Sequence, residues 1–226
     1  MTTELEHLET TKYALAMHTT TPELGLAISS NAGENRSNVW NLGRDLSSQI
    51  HQYLIDFIKP QTWADMAFIA VAKGPGGFTG TRIGVVTART LGQQLEIPVF
   101  AVSTLAAVAW AEYISKISSN KEERWGNQNF AVEMQAQRGQ IFGAIYQPTL
   151  NNLGMTALLP DTVFTPEAWQ ETLTNWSTDC QLIKATSGLA ATVTSILQLA
   201  DFDWQQGKRP NWSEALPYYG QHPVDL

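Results

Sequence analysis

The chain has 226 residues, of which 43% are apolar and 10% aromatic, so it is long enough to bury a substantial core. Its formal net charge is −7, and its 14 basic residues are scattered, with Lys208 and Arg209 the only adjacent pair. A protein that binds nucleic acid unaided carries a basic stripe that neutralises phosphates. This composition therefore argues against direct nucleic-acid binding without a partner.

Cys180 is the single cysteine, which excludes an internal disulfide and predicts a buried thiol. The four histidines show no metal-ligand spacing, and no CxxC or HExxH motif occurs. The sequence thus indicates neither a metal nor another cofactor. Residues 1–12 are polar without an apolar signal segment, and no later segment reaches membrane-spanning length. We therefore expect a cytoplasmic protein that does not contact a membrane.

Runs of apolar residues, continuous or alternating with polar ones, predict that the first structured elements of the chain are strands. Three strands are expected at 13–19, 24–29 and 38–42. A helix is expected over 45–58, because its apolar residues recur at helical spacing, and Lys59-Pro60 should end it.

A second set of elements alternates strands with helices. Residues 67–72 are apolar throughout, as expected of a central strand covered on both faces. A glycine-rich loop, KGPGGFTG, follows and leads into a helix that reaches about Leu95. Residues 97–103 predict another buried strand, and Ser103 is expected to cap a helix that reaches about Ile117.

The polar stretch 115–129 separates these elements from a second block of strands and helices. A hairpin is expected over 130–146 with its turn near Arg138-Gly139, and a helix is expected from the N-cap Thr165. The remaining expected elements are strands at 155–159 and 180–186 and a helix over 188–200. Strands precede α/β units in both blocks, which suggests two related lobes.

The glycine-rich loop fits no nucleotide-binding motif. Its glycines fail the register of the GxxxxGK[ST] loop, and Thr79 stands where the third glycine of GxGxxG belongs. A strand–glycine–helix junction still offers backbone amides to an anion. The stronger interpretation is a tight connection whose glycines adopt positive φ.

The helix after this loop is small or apolar on more than one side. A ridge of small residues recurs every four positions and is expected to pack on the protein's own sheet: Gly80, Gly84, Ala88 and Gly92. Another side, around Ile83 and Val86, is interrupted mainly by Arg82 and Arg89. A helix that is apolar all round is buried on more than one side. The spacing leaves open whether the preceding helix or a second subunit covers this side.

Residues 73–107, KGPGGFTGTRIGVVTARTLGQQLEIPVFAVSTLAA, closely resemble the signature of the TsaB family, which is approximately GPGSFTGLRIGxxxAKGLA followed by xIPxxxVSSLxA. The resemblance implies an α/β fold of the ASKHA (actin-like, RNase H-like) class with two lobes. Each lobe would be a mixed β-sheet flanked by helices. We expect the lobes at 1–104 and 105–226, with the C-terminal segment able to pack back on the first lobe.

The resemblance also implies a function in tRNA modification. TsaB is the non-catalytic scaffold subunit in the synthesis of N6-threonylcarbamoyladenosine at position 37 of tRNA. In the family it pairs with the transferase TsaD, supports binding of the ATPase TsaE, and self-associates when TsaD is missing. Contact with tRNA would then be indirect. The family's pairing surface lies on the helices that match 46–58 and 79–95, and its expected residues here are Leu46, Ile50, Tyr53, Leu54, Thr79, Gly80, Arg82, Ile83, Val86, Thr87 and Thr90.

Several positions depart from the family pattern. His18 stands where ASKHA phosphotransferases carry the aspartate that organises Mg²⁺, which weakens the case for magnesium-dependent ATP chemistry. We expect His18 to be a hydrogen-bonded histidine at a strand end. The DARRGE-like hairpin of the family becomes QAQRGQ, with Gln135 and Gln137 in place of an acid and a base. The HxxxH motif of the catalytic paralogue is absent.

Two alternatives to the scaffold function stay open. One is an ATP-binding enzyme of the ASKHA class, a small-molecule kinase or ATPase that uses the glycine-rich loop. The other is a peptidase, for which Ser47 and Ser103 have no recognisable His/Asp arrangement.

Overall fold

The computed structural model describes residues 12–119, 128–149 and 153–220. The strands are β1 (Tyr13–His18), β2 (Glu23–Ser30), β3 (Asn35–Asn41), β4 (Met66–Ala72), β5 (Val99–Val102), β6 (Asn129–Gln135), β7 (Ile141–Pro148), β8 (Met155–Phe164) and β9 (Cys180–Ala185). The helices are α1 (Leu46–Ile58), α2 (Phe78–Leu95), α3 (Thr104–Ser118), α4 (Pro166–Asn175) and α5 (Val193–Gln205). The strands form two sheets, in the orders β3-β2-β1-β4-β5 and β8-β7-β6-β9. This is the α/β architecture expected of the ASKHA class.

The predicted elements are confirmed, although several ends differ. β3 begins at Asn35, earlier than predicted, because its polar residues pair with β2 as far as Ser29. β8 continues to Phe164 because its pairing with β7 extends to Ile141. The last predicted helix opens as a 3-10 turn, Leu189–Thr192, before α5 begins. Cys180 was expected to be buried but is half-buried, because it begins the edge strand β9.

The first sheet has an apolar layer on each face, because successive side chains of β1 point to opposite faces. Leu15 and Met17 point to the face covered by α1 and α2. Ala14 and Ala16 point to the opposite face, where Val193, Ile196 and other residues of α5 pack. Burial of these side chains removes apolar surface from water, which is the main favourable term in folding.

Helices α3 and α5 form a central layer between the two sheets. α5 packs on β1, β2 and β4 of the first sheet, whereas α3 packs on β6 and β7 of the second. Trp169 of α4 covers the other face of the second sheet, against Ala131 and Ile145. None of the described helices is long and apolar enough to cross a lipid bilayer.

The end of α1 is held by Arg36 of the edge strand β3. One guanidinium nitrogen of Arg36 lies within hydrogen-bond distance of the carbonyl oxygens of Phe57 (2.9 Å), Ile58 (2.9 Å) and Lys59 (3.1 Å), which share its two hydrogens. These are among the last carbonyls of the helix, which have no partner within it. The helix ends before Pro60 as predicted, and its end is tied to the sheet.

Residues 210–219, which we call the C-terminal strap, return to the first sheet. The carbonyl oxygen of Pro210 accepts from the Val99 amide of β5 (3.4 Å), and the Tyr218 amide donates to the Lys73 carbonyl oxygen (2.7 Å). Between these contacts, Ala215 is buried in the core formed with α1 and α2. The strap therefore covers the edge of the first sheet beside α2.

Candidate functional site

The glycine-rich loop packs closely on the end of β1. A Cβ atom on Gly76 would lie 2.5 Å from the carbonyl oxygen of Thr20, and the Gly77 amide donates to that same oxygen (2.7 Å). Gly74 has a φ of +100°, and a Cβ there would lie 2.5 Å from the carbonyl oxygen of Tyr218. The tight connection is confirmed, but positive φ holds only for Gly74 in this loop. Gly76 is needed for the close approach of the two backbones, and the amide of Gly77 already has a partner in the Thr20 carbonyl oxygen.

The small-residue ridge of α2 faces the protein's own first lobe, as predicted. A Cβ on Gly80 would overlap the Thr19 carbonyl oxygen, and a Cβ on Gly84 would overlap the Thr19 hydroxyl. A Cβ on Gly92 would likewise overlap the side chain of Val99. Gly80 was also expected at the partner interface; a Cβ there would meet Thr19, directly after β1, so only its half-buried backbone is available to a partner, and the expectation stays a prediction.

Several other predicted interface residues also lie inside the chain. Leu46, Ile50 and Leu54 point from α1 into the core of the first lobe, and Thr87 of α2 is buried. Tyr53 is half-buried, with its ring centroid 5.0 Å from that of Trp40. These five side chains therefore stabilise the two helices, and the buried four are not available to a partner of the folded chain.

The remaining predicted residues share the outward side of α2. We call this side the α2 face: Thr79, Arg82, Ile83, Val86 and Thr90. Ile83 is half-buried against the core of the first lobe, whereas the other four are exposed. Val86 is 57% exposed, the second-highest value among the large apolar residues of the described chain. The spacing of Thr79, Ile83, Val86 and Thr90 alternates between four and three residues, as in helices that pack along a partner helix.

The neighbouring helix adds an apolar residue that the sequence prediction missed. Ile55 of α1 is 45% exposed, although it sits in a helix whose other apolar residues point inward. Its helical position lies opposite Leu46 and Ile50. Ile55 lies outside the helical spacing of the core positions Leu46, Ile50, Leu54 and Ile58, so the sequence alone could have identified it as exposed.

A cleft of about 1250 Å³ lies between the two sheets, beside the α2 face. Its walls include Thr20, the glycine-rich loop, and Gln135 and Gln137 at the end of the β6–β7 hairpin. Thr79 and Ile83 line both the cleft and the α2 face. A molecule that covered the α2 face would therefore also lie at the mouth of the cleft.

Among the described residues that line the cleft, Glu133 is the only acid. Its carboxylate pairs with Lys184 at 3.2 Å and accepts a hydrogen bond from the Trp169 indole at 2.7 Å. Hard cations such as Mg²⁺ prefer oxygen ligands, and those of Glu133 are already engaged. This donor set does not fit a magnesium–nucleotide site.

His18 differs from its prediction. The residue is fully buried, and both of its ring nitrogens lack a hydrogen-bond partner. Burial lowers the pKa of His18 to about 3, because a charged imidazolium is disfavoured away from water. The expected hydrogen bond is absent because alternation places His18 on the apolar side of β1 that faces α5.

Ser103 caps α3 as predicted and also joins a buried polar cluster that the sequence did not reveal. Its hydroxyl oxygen accepts from the amides of Leu105 (3.1 Å) and Ala106 (3.2 Å). The Tyr146 hydroxyl donates to the Asp161 carboxylate (2.6 Å) and lies 3.1 Å from the Ser103 hydroxyl. Burial raises the pKa of Asp161. The Ser103 oxygen is thus engaged in structural contacts, which gives no support to a peptidase nucleophile.

Comparison with known proteins agrees with this geometry. Residues 48–144 match the family described as TsaD: tRNA N6-adenosine threonylcarbamoyltransferase. The tRNA threonylcarbamoyladenosine biosynthesis protein TsaB of Bacillus subtilis is 34% identical over 125 residues, which is 55% of this chain and 48% of that protein. The chain is thus similar to members of the TsaB family over about half of its length. The match to a TsaD family is consistent with the paralogy of TsaB and TsaD that the resemblance implied.

Other TsaB proteins and solved structures extend the comparison. TsaB of Escherichia coli is 30% identical over 89 residues, 39% of this chain and 35% of that protein. The matches thus span about half, or less, of these TsaB relatives. YeaZ from Pseudomonas aeruginosa superposes with a TM-score of 0.71 over 92% of this chain and 99% of its own, at 23% identity. This structural likeness shows that the fold is shared over nearly the whole chain.

Proposed function

We propose that this chain is the non-catalytic scaffold subunit of a complex that makes N6-threonylcarbamoyladenosine at position 37 of tRNA. In this proposal it pairs with a TsaD transferase and supports the binding of a TsaE ATPase. Its relatives in Bacillus subtilis and Escherichia coli are named as biosynthesis proteins for this nucleoside. The observation that carries the proposal is the α2 face, which leaves an apolar seam uncovered by the described chain.

The α2 face has the properties of a contact surface. Val86 is more than half exposed at its centre, Ile83 beside it is half-buried, and Ile55 is a further exposed apolar residue on the neighbouring helix α1. Contiguous apolar surface is costly in water and commonly marks a place where another protein binds. The helix is rigid because its opposite side is fixed on β1 and β5 by the glycine ridge. A rigid surface loses little conformational entropy on binding.

The cleft supports a scaffold function over an enzymatic one. An ATP-binding enzyme would need carboxylates to place Mg²⁺, and the acid among the described cleft residues is paired with Lys184. The net charge of −7 favours indirect contact with tRNA through a partner. We accordingly propose a cytoplasmic protein with lobes at 1–104 and 105–226, the first of which carries the pairing helices.

A charge on the α2 face should disrupt pairing without unfolding the chain. We expect Val86→Glu to weaken association with the TsaD of the same organism at least tenfold, because the carboxylate would lose hydration in the contact. Glutamate is a good helix former, so α2 should persist. Isothermal titration calorimetry with purified TsaD measures the affinity.

Val39→Glu provides the matched control. Val39 is 39% exposed on the edge strand β3, so the same substitution adds the same charge away from the α2 face. This variant should bind TsaD like the original chain. Equal affinities for all three proteins, or a defect confined to Val39→Glu, would show that pairing uses another surface.

A further inference from the structure

The described chain passes between the two sheets at two places. It leaves the first sheet between β5 and α3, which packs on β6 and β7, and it returns between β9 and α5, which packs on β1, β2 and β4. Chain crossings beside an open cleft allow two bodies to rotate about a few hinge residues. The width of the cleft would therefore change if the backbone angles at these crossings changed.

The first crossing is held by the two residues that follow β4. The Lys73 amide donates to the Val102 carbonyl oxygen (2.8 Å), and the Thr104 amide donates to the Gly74 carbonyl oxygen (2.9 Å). Ser103, between Val102 and Thr104, caps α3 with its hydroxyl oxygen. A rotation at this crossing has to break these hydrogen bonds or carry their partners with it.

Tyr218 of the C-terminal strap joins this crossing to the second sheet. Its amide donates to the Lys73 carbonyl oxygen (2.7 Å), and a Cβ on Gly74 would lie 2.5 Å from its carbonyl oxygen. Its hydroxyl donates to the carbonyl oxygen of Asp161 in β8 (2.7 Å), and its ring centroid lies 6.4 Å from that of Phe142 in β7. One residue therefore contacts the backbone beside the crossing and two strands of the other sheet.

The strap is itself fixed on the side of the first sheet. Arg89 of α2 lies over the Trp212 ring of the strap, with its guanidinium carbon 5.8 Å from the ring centroid. Tyr219 lies against Phe78 with ring centroids 4.6 Å apart, and the guanidinium carbon of Arg82 lies 5.4 Å from the same Phe78 ring. These distances are within the range of aromatic and cation–π interactions. The contacts of the strap with the second sheet therefore start from a fixed base.

The residues after Tyr218 complete the contact between the sheets. Tyr219 lines the cleft, and a Cβ on Gly220 would lie 2.7 Å from the Phe142 ring and 2.9 Å from the Val163 side chain. Packing this close leaves no space for movement without a shift of the neighbouring side chains. The end of the strap thus lies between the two walls of the cleft and contacts both.

We propose that Tyr218 fixes the crossing between β5 and α3 and thereby holds the cleft at one width. With Tyr218 in place the two sheets form one rigid body, and without it they rotate about the two crossings. A molecule in the cleft would touch both sheets, so a fixed width organises that surface before binding. This inference goes beyond the proposed function and does not depend on it, because it concerns the chain alone.

Spin labels on the two sides of the cleft test this inference. Cys180→Ser removes the single native cysteine, and Arg44→Cys with Gln135→Cys places labels at two exposed positions that line the cleft. Double electron–electron resonance should give one narrow distribution of distances between the labels. Tyr218→Ala should widen that distribution about twofold or more, because the hydrogen bond and the ring contact with the second sheet are both lost.

Two further variants make the outcome decisive. Tyr219→Phe is the matched control, because it keeps the ring that lies against Phe78, and it should leave the distribution unchanged. Tyr218→Phe removes only the hydroxyl and should widen the distribution less than Tyr218→Ala, so it decides the test if Tyr218→Ala does not fold. Distributions as narrow as the original in every folded Tyr218 variant contradict the inference.

Amide hydrogen exchange separates a change between the sheets from a loss of folding. The central amides of β1 and β6 should keep their protection in the folded Tyr218 variants, because each sheet retains its own pairing. Loss of protection in these strands would contradict the inference, since Tyr218 would then support the sheets themselves. TsaD takes no part in either measurement, so the result is independent of the proposed function.

Discussion

At the scale of single residues, His18 has the most consequential environment. The folded chain holds the imidazole neutral down to a pKa of about 3, whereas an unfolded histidine titrates near its ordinary value of 6.5. Above about pH 6.5 the titration of His18 therefore does not reduce the free energy of unfolding. Between about pH 6.5 and 3 that free energy falls with pH, because the unfolded chain binds a proton that the folded chain does not. The slope approaches about 1.4 kcal/mol per pH unit for one proton.

Replacing His18 by leucine should stabilise the protein and flatten its acid unfolding. The substitution removes two buried nitrogens without partners, an effect of about 1–3 kcal/mol at pH 7. Urea unfolding at pH 7, 5.5 and 4.5 measures both changes. His51→Leu serves as the control, because His51 is exposed on α1 and should alter neither. A parallel pH dependence of the His18→Leu and original proteins would contradict this account.

At the scale of secondary-structure elements, the fit of α2 against β1 depends on the absence of side chains. Gly80→Ala should destabilise the protein by about 1–3 kcal/mol, because the new Cβ overlaps the Thr19 carbonyl oxygen. The higher helix propensity of alanine, worth about 1 kcal/mol, acts in the opposite direction. Thr90→Ala, at an exposed position of the same helix, should be neutral or slightly stabilising. Thermal unfolding that ranked Gly80→Ala at or above the original chain would contradict this packing.

At the scale of the whole molecule, a largely buried polar cluster joins the second sheet to the start of α3 and to the strap. Asp161 of β8 accepts from the Tyr146 hydroxyl of β7, and the Tyr218 hydroxyl of the strap donates to the Asp161 carbonyl oxygen at 2.7 Å. Ser103, at the start of α3, completes the cluster. We expect this cluster to set how firmly the parts of the molecule are held together.

Tyr146→Phe should therefore cost about 1–3 kcal/mol in the free energy of unfolding, because the half-buried Asp161 carboxylate loses its hydrogen bond from the buried Tyr146 hydroxyl. Tyr13→Phe removes a comparable hydroxyl, which donates to the exposed Glu34 at 2.8 Å, and should cost less than about 0.5 kcal/mol. Chemical denaturation of the two variants gives the comparison. Equal losses would mean that burial of the cluster adds nothing to its hydrogen bonds.

The sequence predicted the elements well because their signals are local. Apolar spacing identified α1, and Ser103 and Thr165 marked two helix starts through hydroxyl groups that now accept amide hydrogen bonds. The ridge of α2 was also assigned to the correct side. These patterns depend on neighbours within a few residues.

The candidate surface was harder to predict because it depends on distant parts of the chain. An apolar residue such as Leu54 or Val86 looks the same in the sequence, and only the packed sheet decides which one is buried. The supports of Arg82 and Arg89 come from residues far along the chain, Tyr219 and Trp212. Tertiary contacts of this kind leave no periodic signal.

The return of residues 210–219 to the first sheet affects the order in which the protein can be completed during synthesis. A ribosome releases β1 to β5 long before Ala215, which belongs in the same core. Until that late segment emerges, the edge of β5 has no cover from it, and Arg89 lacks the Trp212 ring. A nascent chain would thus lack part of its core and the support of Arg89, so the first lobe is completed only after residues 210–219 have left the ribosome.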